Sequence, residues 1–523
     1  MATIRFRASF FGVLAMAGGC GGLTPSGGFS EGFGGGVSEG GRSSAGDSAL
    51  ASGGSVSNKE PADGRSEISR ANGGADAGGG SSTSTINTSV SGGNASTGGE
   101  PSGISGMGAN AGGAPMPLPD GLVVHEWGTN TVVSASDGTL ELGLQHEEED
   151  LPAFVYDRLR AAVAEPLSMK VTTKMETPIL YFYSKEPLDV SVRVDFPTGI
   201  LTQWYPGVLD FRPQILWEQP LLATSKPQDP AMDPNILMPT LLCENRFRRN
   251  GWLDWGRFRV LAPGEAAPTL PIAPKDQYTW SYARDVNANA VKFPNGESER
   301  FLFYRGLSNA IPPVTIRALP IDAQGQRVVL ENASGVAVPS AFVVHVKGDS
   351  GAFTEFNQGV GAGAKRELTV PNESELSPLG DYETALADAM TRALEAQALF
   401  HDEAVAMVNT WKTQWFKTPG IRVLYFAPST WTDETIPLQI TPKPAALVRV
   451  MVMRAEVLTP ELESVDVAAL NSTDETAMRA HFSKLGRFAE PRLRRALEQA
   501  PSAAGKALLG EIAVTVSRSS PTE

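Results

Sequence analysis

The chain has 523 residues, 41% of them hydrophobic and 20% charged, with a net charge of −14 and an isoelectric point near 5.0. That is long enough for several domains and ample buried core. Neutralising phosphates takes surplus Lys and Arg, so the charge argues against nucleic acid as a partner, and equally against electrostatic docking on anionic lipid.

Residues 1–20 read MATIRFRASFFGVLAMAGGC. Arg5 and Arg7 precede a short apolar run, Ala8 to Ala17, and the small residues Ala17, Gly18 and Gly19 precede Cys20. Such a run is too short to span a bilayer, which takes roughly 20 residues, and suits a cleaved signal peptide over 1–19. The small-small-small-Cys ending resembles the bacterial lipobox, although Ala17 stands where Leu is usual. This resemblance implies lipidation of Cys20 and attachment to the membrane through an N-terminal lipid, and several acyl chains would hold such an anchor firmly. Gly21 and Gly22 follow without an acidic retention signal, so the expected location is the cell envelope, at the outer membrane.

Residues 21–117 contain 28 of the 54 Gly and 19 Ser, and their only aromatics are Phe29 and Phe33. Lacking hydrophobic periodicity, the stretch 20–117 is expected to be a disordered Gly/Ser-rich linker. A flexible coil of about 97 residues has an r.m.s. reach of about 55 Å. All nine Trp lie beyond residue 120. With Cys20 lipidated, Cys243 has no partner in the chain, and the rest must be held by its core.

The folded part is expected to be mainly β: antiparallel, sandwich-like sheets with an α/β carboxyl-terminal part. Residues 118–310 read as a β-rich domain. Its candidate strands include Leu122–Trp127, Pro178–Tyr183, Gly256–Leu261, Glu299–Tyr304 and Val190–Phe196, the last alternating as V-S-V-R-V-D-F. Residues 311–372, with Val314–Leu319, Arg327–Glu331, Ala341–Val346 and Glu367–Val370, have the rhythm of a small Ig-like sandwich. From 373 the period changes. Leu386, Met390 and Leu394, then Met407, Trp411 and Trp415, recur four apart and predict helices over 383–400 and 403–416. Strands Ile421–Phe426 and Ala446–Val457 follow, then helices over 473–485 and 491–500.

Several stretches resemble those of a poorly characterised family of exported bacterial proteins: VVHEWGTNT (123–131), HEEEDLPAFVYDR (146–158), KMETPILYFYS (174–184), LTQWYP (201–206), ERFLFYRG (299–306), IRVLYFAPSTWTDETIPL (421–438) and LVRVMVMRAEVLTP (447–460). The resemblance implies a genuine folded module and carries no activity. LGRFAEPRLRRALEQAPS (485–502) resembles a short HEAT-like helix pair, a unit that mediates packing or protein contacts.

The most suggestive chemistry lies at the start of the body. His125-Glu126 sits on a predicted strand, and His146-Glu147-Glu148-Glu149-Asp150 follows about twenty residues later. A hairpin turning near Asp137-Gly138 would bring the two imidazoles together. With a carboxylate such as Glu148 they would make a Zn²⁺ ligand set, and Glu126 or Glu147 would serve as general base. Thr129 stands where an HExxH helix would place its second His. The plainer reading is a hydrogen-bonded core His and a solvated acidic turn. Trp252 and Trp255, beside Arg246 and Arg248, are candidates for contact with an envelope glycan or a protein ligand, against the plainer reading of core Trp. Asp285-Val286-Asn287-Ala288-Asn289 opens like a Ca²⁺ loop, but Ala290 and Gly296 break the pattern. There is no G-x-S-x-G elbow and no phosphate-binding Gly loop after a strand. A non-enzymatic, surface-tethered binding or envelope-structural module is therefore the leading expectation, with an exported metal-dependent hydrolase as its rival.

Overall fold

The computed structural model describes residues 120–146, 149–157, 171–212, 250–266 and 268–514. The signal peptide, Cys20 and the linker lie outside the described residues, as do Glu147, Glu148, Cys243 and Arg246. The described residues all belong to one compact unit.

The described residues form mostly strands in antiparallel sheets, with helices toward the carboxyl terminus. In chain order the strands are β1 (Val123–Ser134), β2 (Tyr156–Asp157), β3 (Thr173–Tyr183), β4 (Leu188–Phe196), β5 (Gly199–Tyr205), β6 (Asp210–Arg212) and β7 (Gly251–Val260). Next come β8 (Val291–Lys292), β9 (Ser298–Glu299), β10 (Leu302–Ser308), β11 (Val314–Ala318), β12 (Arg327–Asn332) and β13 (Ala341–Lys347). The series ends with β14 (Ser350–Phe356), β15 (Lys365–Thr369), β16 (Ser377–Pro378), β17 (Gly420–Phe426), β18 (Leu438–Thr441) and β19 (Ala446–Val457).

Ten of them make one sheet in the order β16-β14-β13-β17-β19-β1-β3-β10-β5-β2. A six-stranded sheet runs β18-β4-β7-β8-β9 with β6 also on β7, and β11-β12-β15 form a third. The strands of 311–372 are thus shared: β11, β12 and β15 make the small sheet, whereas β13 and β14 extend the long one. From the carboxyl-terminal part, β17 and β19 lie in that same long sheet.

The alternation read in Val190–Phe196 marks a half-buried strand: β4 shows its inner Val and Phe buried and its other residues partly open, and β7 follows suit. By contrast, every residue of β1 and β3 is buried. A strand covered on both faces need not alternate, which is why β1 and β3 extend further than their apolar runs indicated. β1 pairs in parallel with β19 along its whole length, from Val123 opposite Ala446 to Ser134 opposite Val457. On its other edge it pairs antiparallel with β3.

Pro178 lies in the middle of β3, where a missing N–H would ordinarily break the ladder. A bulge accommodates it: the β1–β3 register shifts between Trp127 and Thr129, and Thr177 takes a positive φ of 50°. Gly128 fills the gap, since a Cβ there would come within 2.9 Å of Pro178 Cα and 3.0 Å of the Met451 sulfur. Gly128→Ala is therefore expected to cost about 1–3 kcal/mol through overpacking, measured by urea denaturation. A cost within a few tenths of a kcal/mol would mean that the bulge yields.

Behind the long sheet lie helices Leu379–Ala396 and His401–Lys412, the second running into a π turn, Thr413–Lys417. Their buried residues, including Leu386, Met390, Leu394, Met407, Trp411 and Trp415, join the main core. Four tail helices close the described chain: Pro460–Leu470, Glu475–Ser483, Ala489–Gln499 and Ala503–Val514. They enclose a separate apolar cluster of Leu470, Met478, Phe482, Leu493, Ala496 and Leu508.

Candidate functional site

Because β1 is covered on both faces, its polar side chains must find partners inside the protein or carry a desolvation cost. His125 and Glu126, adjacent on the strand, point to opposite faces.

On one face, His125 Nδ1 lies 2.8 Å from Glu403 Oε2, on the helix His401–Lys412. Tyr183 donates its hydroxyl to Glu403 Oε1 at 2.7 Å, and the Phe400 backbone N–H donates to Oε2 at 2.7 Å. The His125 ring also packs against Phe400, with centroids 4.5 Å apart. Burial, reinforced by the Glu403 charge, raises the Tyr183 phenol well above its ordinary pKa, so it remains a donor. Together these contacts fasten the helix pair to the sheet.

On the other face, Glu126 accepts the Tyr304 hydroxyl at 2.5 Å and the Arg449 Nε at 2.6 Å, one on each oxygen. Arg449 continues to Asp433 at 2.8 Å and to the Ile436 carbonyl at 2.7 Å. Burial disfavours the charged guanidinium, but Glu126 outweighs that and holds its pKa above the ordinary value. A general base needs a lone pair facing substrate or water; Glu126 is fully buried, and its carboxylate is held by Tyr304 and Arg449.

His146 belongs to another constellation. Its Nε2 lies 2.8 Å from Glu490 Oε2, which also takes Gln145 Nε2 at 2.5 Å, while Arg494 reaches Oε1 at 2.7 Å. The His146 carbonyl accepts Lys174 Nζ at 2.6 Å. Lys174 stands opposite Thr131 on β1, whereas Tyr181 stands opposite His125. Six residues of strand, about 20 Å, separate those two positions. The hairpin near Asp137-Gly138 shrinks to a turn with a single bridge, Ser134 to Leu140, and does not bring the two imidazoles to one carboxylate. Among the described residues, no group of three or more His, Cys, Asp or Glu is arranged to hold a metal ion.

Between these ends, Glu176 accepts Arg487 Nη1 on both oxygens at 2.9 Å and the Thr131 hydroxyl at 2.5 Å. Burial would raise its pKa, but Arg487, Lys174 and Arg305 prevail and bring it down to about 2.

Trp255 is buried and donates its indole N–H to the Pro206 carbonyl at 2.9 Å. Trp252 is half-buried on the outer face of the six-stranded sheet, with the Arg193 guanidinium 4.1 Å from its ring centroid. Arg193 is in turn paired with Asp195 at 2.7 Å. In the Asp285–Asn289 segment, Asn289 ties Ser184 and Leu261 together through their carbonyls, and Asp285 pairs with Lys275.

Sequence reasoning missed Glu403 and Glu490 as partners, although a signal was present. Glu403 lies four residues before Met407 in the row Met407, Trp411, Trp415, and Glu490 lies three before Leu493. A carboxylate on an otherwise apolar row is a buried charge awaiting a partner.

No family model matches the chain, and no curated protein matches it. Among solved structures it is similar to the yeast delta-COP-I mu-homology domain. The complex of that domain with a Dsl1 WxWxV peptide is 9% identical and covers 66% of this chain and 100% of that one, at a TM-score of 0.22. The domain alone is 10% identical, covering 66% and 99%, also at 0.22.

Proposed function

We propose that residues 118–523 form a rigid, non-catalytic binding or structural module, carried on a lipid-anchored Gly/Ser tether in the bacterial cell envelope. The observation that carries the reading is the use made of β1: its ionisable side chains fasten helices and sheets together. Such a strand is suited to keeping a surface in fixed shape. The sequence supports the location through the short apolar leader, the small residues before Cys20, and a long stretch unable to collapse. Within this reading Trp252, beside Arg193 on an outer sheet face, is the aromatic that meets an envelope glycan or protein; Trp255 serves the core.

Two measurements test it. Cys20→Ser should abolish acyl labelling and release the protein from the membrane fraction, and labelling that persists would refute the anchor. Metal analysis of the purified full chain should find no stoichiometric zinc. Zinc at one equivalent, lost on His125→Ala or His146→Ala, would overturn the binding reading in favour of a metal-dependent hydrolase.

A further inference from the structure

The tail helices and the β-body keep separate apolar cores: the clusters built around Leu493 and around Trp127 share no residue. What joins them is largely polar. Arg487 reaches Glu176, and Glu490 receives Gln145 and His146. The Arg454 and Arg487 guanidiniums both lie over the Phe488 ring, 5.3 and 5.0 Å from its centroid. Such a joint can part without opening either apolar core.

One corner of it is unbalanced. Arg495, on the helix Ala489–Gln499, faces four carboxylates: Asp137 at 2.9 Å, Glu463 at 3.1 Å, Glu498 at 3.7 Å and Glu141 at 3.9 Å. Asp137 and Glu141 come from the turn after β1, Glu463 from the helix Pro460–Leu470, and Glu498 from the same helix as Arg495. Glu463 is further satisfied by the Ser136 N–H at 2.8 Å and by Gln499 at 2.6 Å. Glu141 has no such support: it is 2% exposed, and its Oε1 is buried without a hydrogen-bond partner. One guanidinium cannot neutralise four carboxylates, and the least solvated of them is the one to take up a proton.

We propose that the tail helices are a separately dockable unit and that Glu141 is its proton-controlled latch: neutral while the tail is docked, ionised once the tail leaves, so that rising pH releases the tail. Burial first, then the Glu498 charge, with Glu463 and Asp137 adding to it against Arg495, pushes the Glu141 carboxyl up from 4.5 to about 8. The docked state therefore holds a proton that the undocked state gives up between those two values. The Glu141 contribution to docking is full at pH 4.5, weakens by up to about tenfold per pH unit as pH rises toward 8, and levels off beyond.

Hydrogen exchange of the full chain tests this, with tail peptides from 475–499 followed against β1 and β3 between pH 4.5 and about 8. After correction for the intrinsic chemistry of exchange, tail protection should fall with pH while β1 and β3 hold theirs. In Glu141→Gln, a neutral side chain of the same shape, the tail should stay protected and the pH slope disappear. The proposal is overturned by a wild-type tail whose protection ignores pH, by a slope that survives in the variant, or by tail and strands losing protection together.

Discussion

Arg449→Met is expected to lower the unfolding free energy by about 3–5 kcal/mol, the cost of stranding a buried charge without its partner. Glu126 is fully buried, and Arg449, 2.6 Å away, is the cation that pairs with it. Tyr304 would remain as a hydrogen-bond donor, but a phenol cannot compensate a full charge in a medium of low polarity. The double variant Glu126→Leu/Arg449→Met removes charge from both sides and should recover most of the loss, because apolar side chains often replace a buried ion pair with little net cost. Urea denaturation of the four proteins closes the cycle. A single variant within about 1 kcal/mol of wild type would show that Glu126 relaxes toward water or takes up a proton, and that Arg449 is not what holds it.

Glu403→Ala is expected to be comparably severe, about 3–5 kcal/mol, for a different reason. One carboxylate answers three donors, His125, Tyr183 and the Phe400 N–H. Truncation would leave all three buried and unanswered, at about 1–3 kcal/mol for each that finds no water. Glu403→Gln keeps one acceptor oxygen and should lose roughly half as much. The loss should be accompanied by faster hydrogen exchange in the helix His401–Lys412, since that helix is what the contact fastens. Unchanged stability, or exchange that quickens in β1 alone, would contradict this role.

The sequence made the elements legible where one face of a segment is wet. The alternation of Val190–Phe196 and the four-residue rows of the two central helices report a boundary between oil and water, and those segments lie as expected. β1 and β3 carry no such boundary, so their lengths and their partners were not written in their periodicity. His125 and His146 stood out as chemistry-bearing residues, but which acid each meets depends on pairing between strands and helices far apart in the chain. That information resides in tertiary contacts. Glu403 and Glu490 were nevertheless visible as charges on apolar rows, and asking what each must meet would have led back to the histidines.

The parallel seam of β1 and β19 joins residues 323 positions apart. A chain that emerges amino end first delivers β1 early and its neighbour more than three hundred residues later, so one edge of a strand buried at every residue must wait, bare, until the rest arrives. Closing so distant a contact is slow, and until it closes the waiting edge is an invitation to wrong partners. Assembly of this molecule therefore depends less on how its first strands behave than on how long they can be kept from sticking.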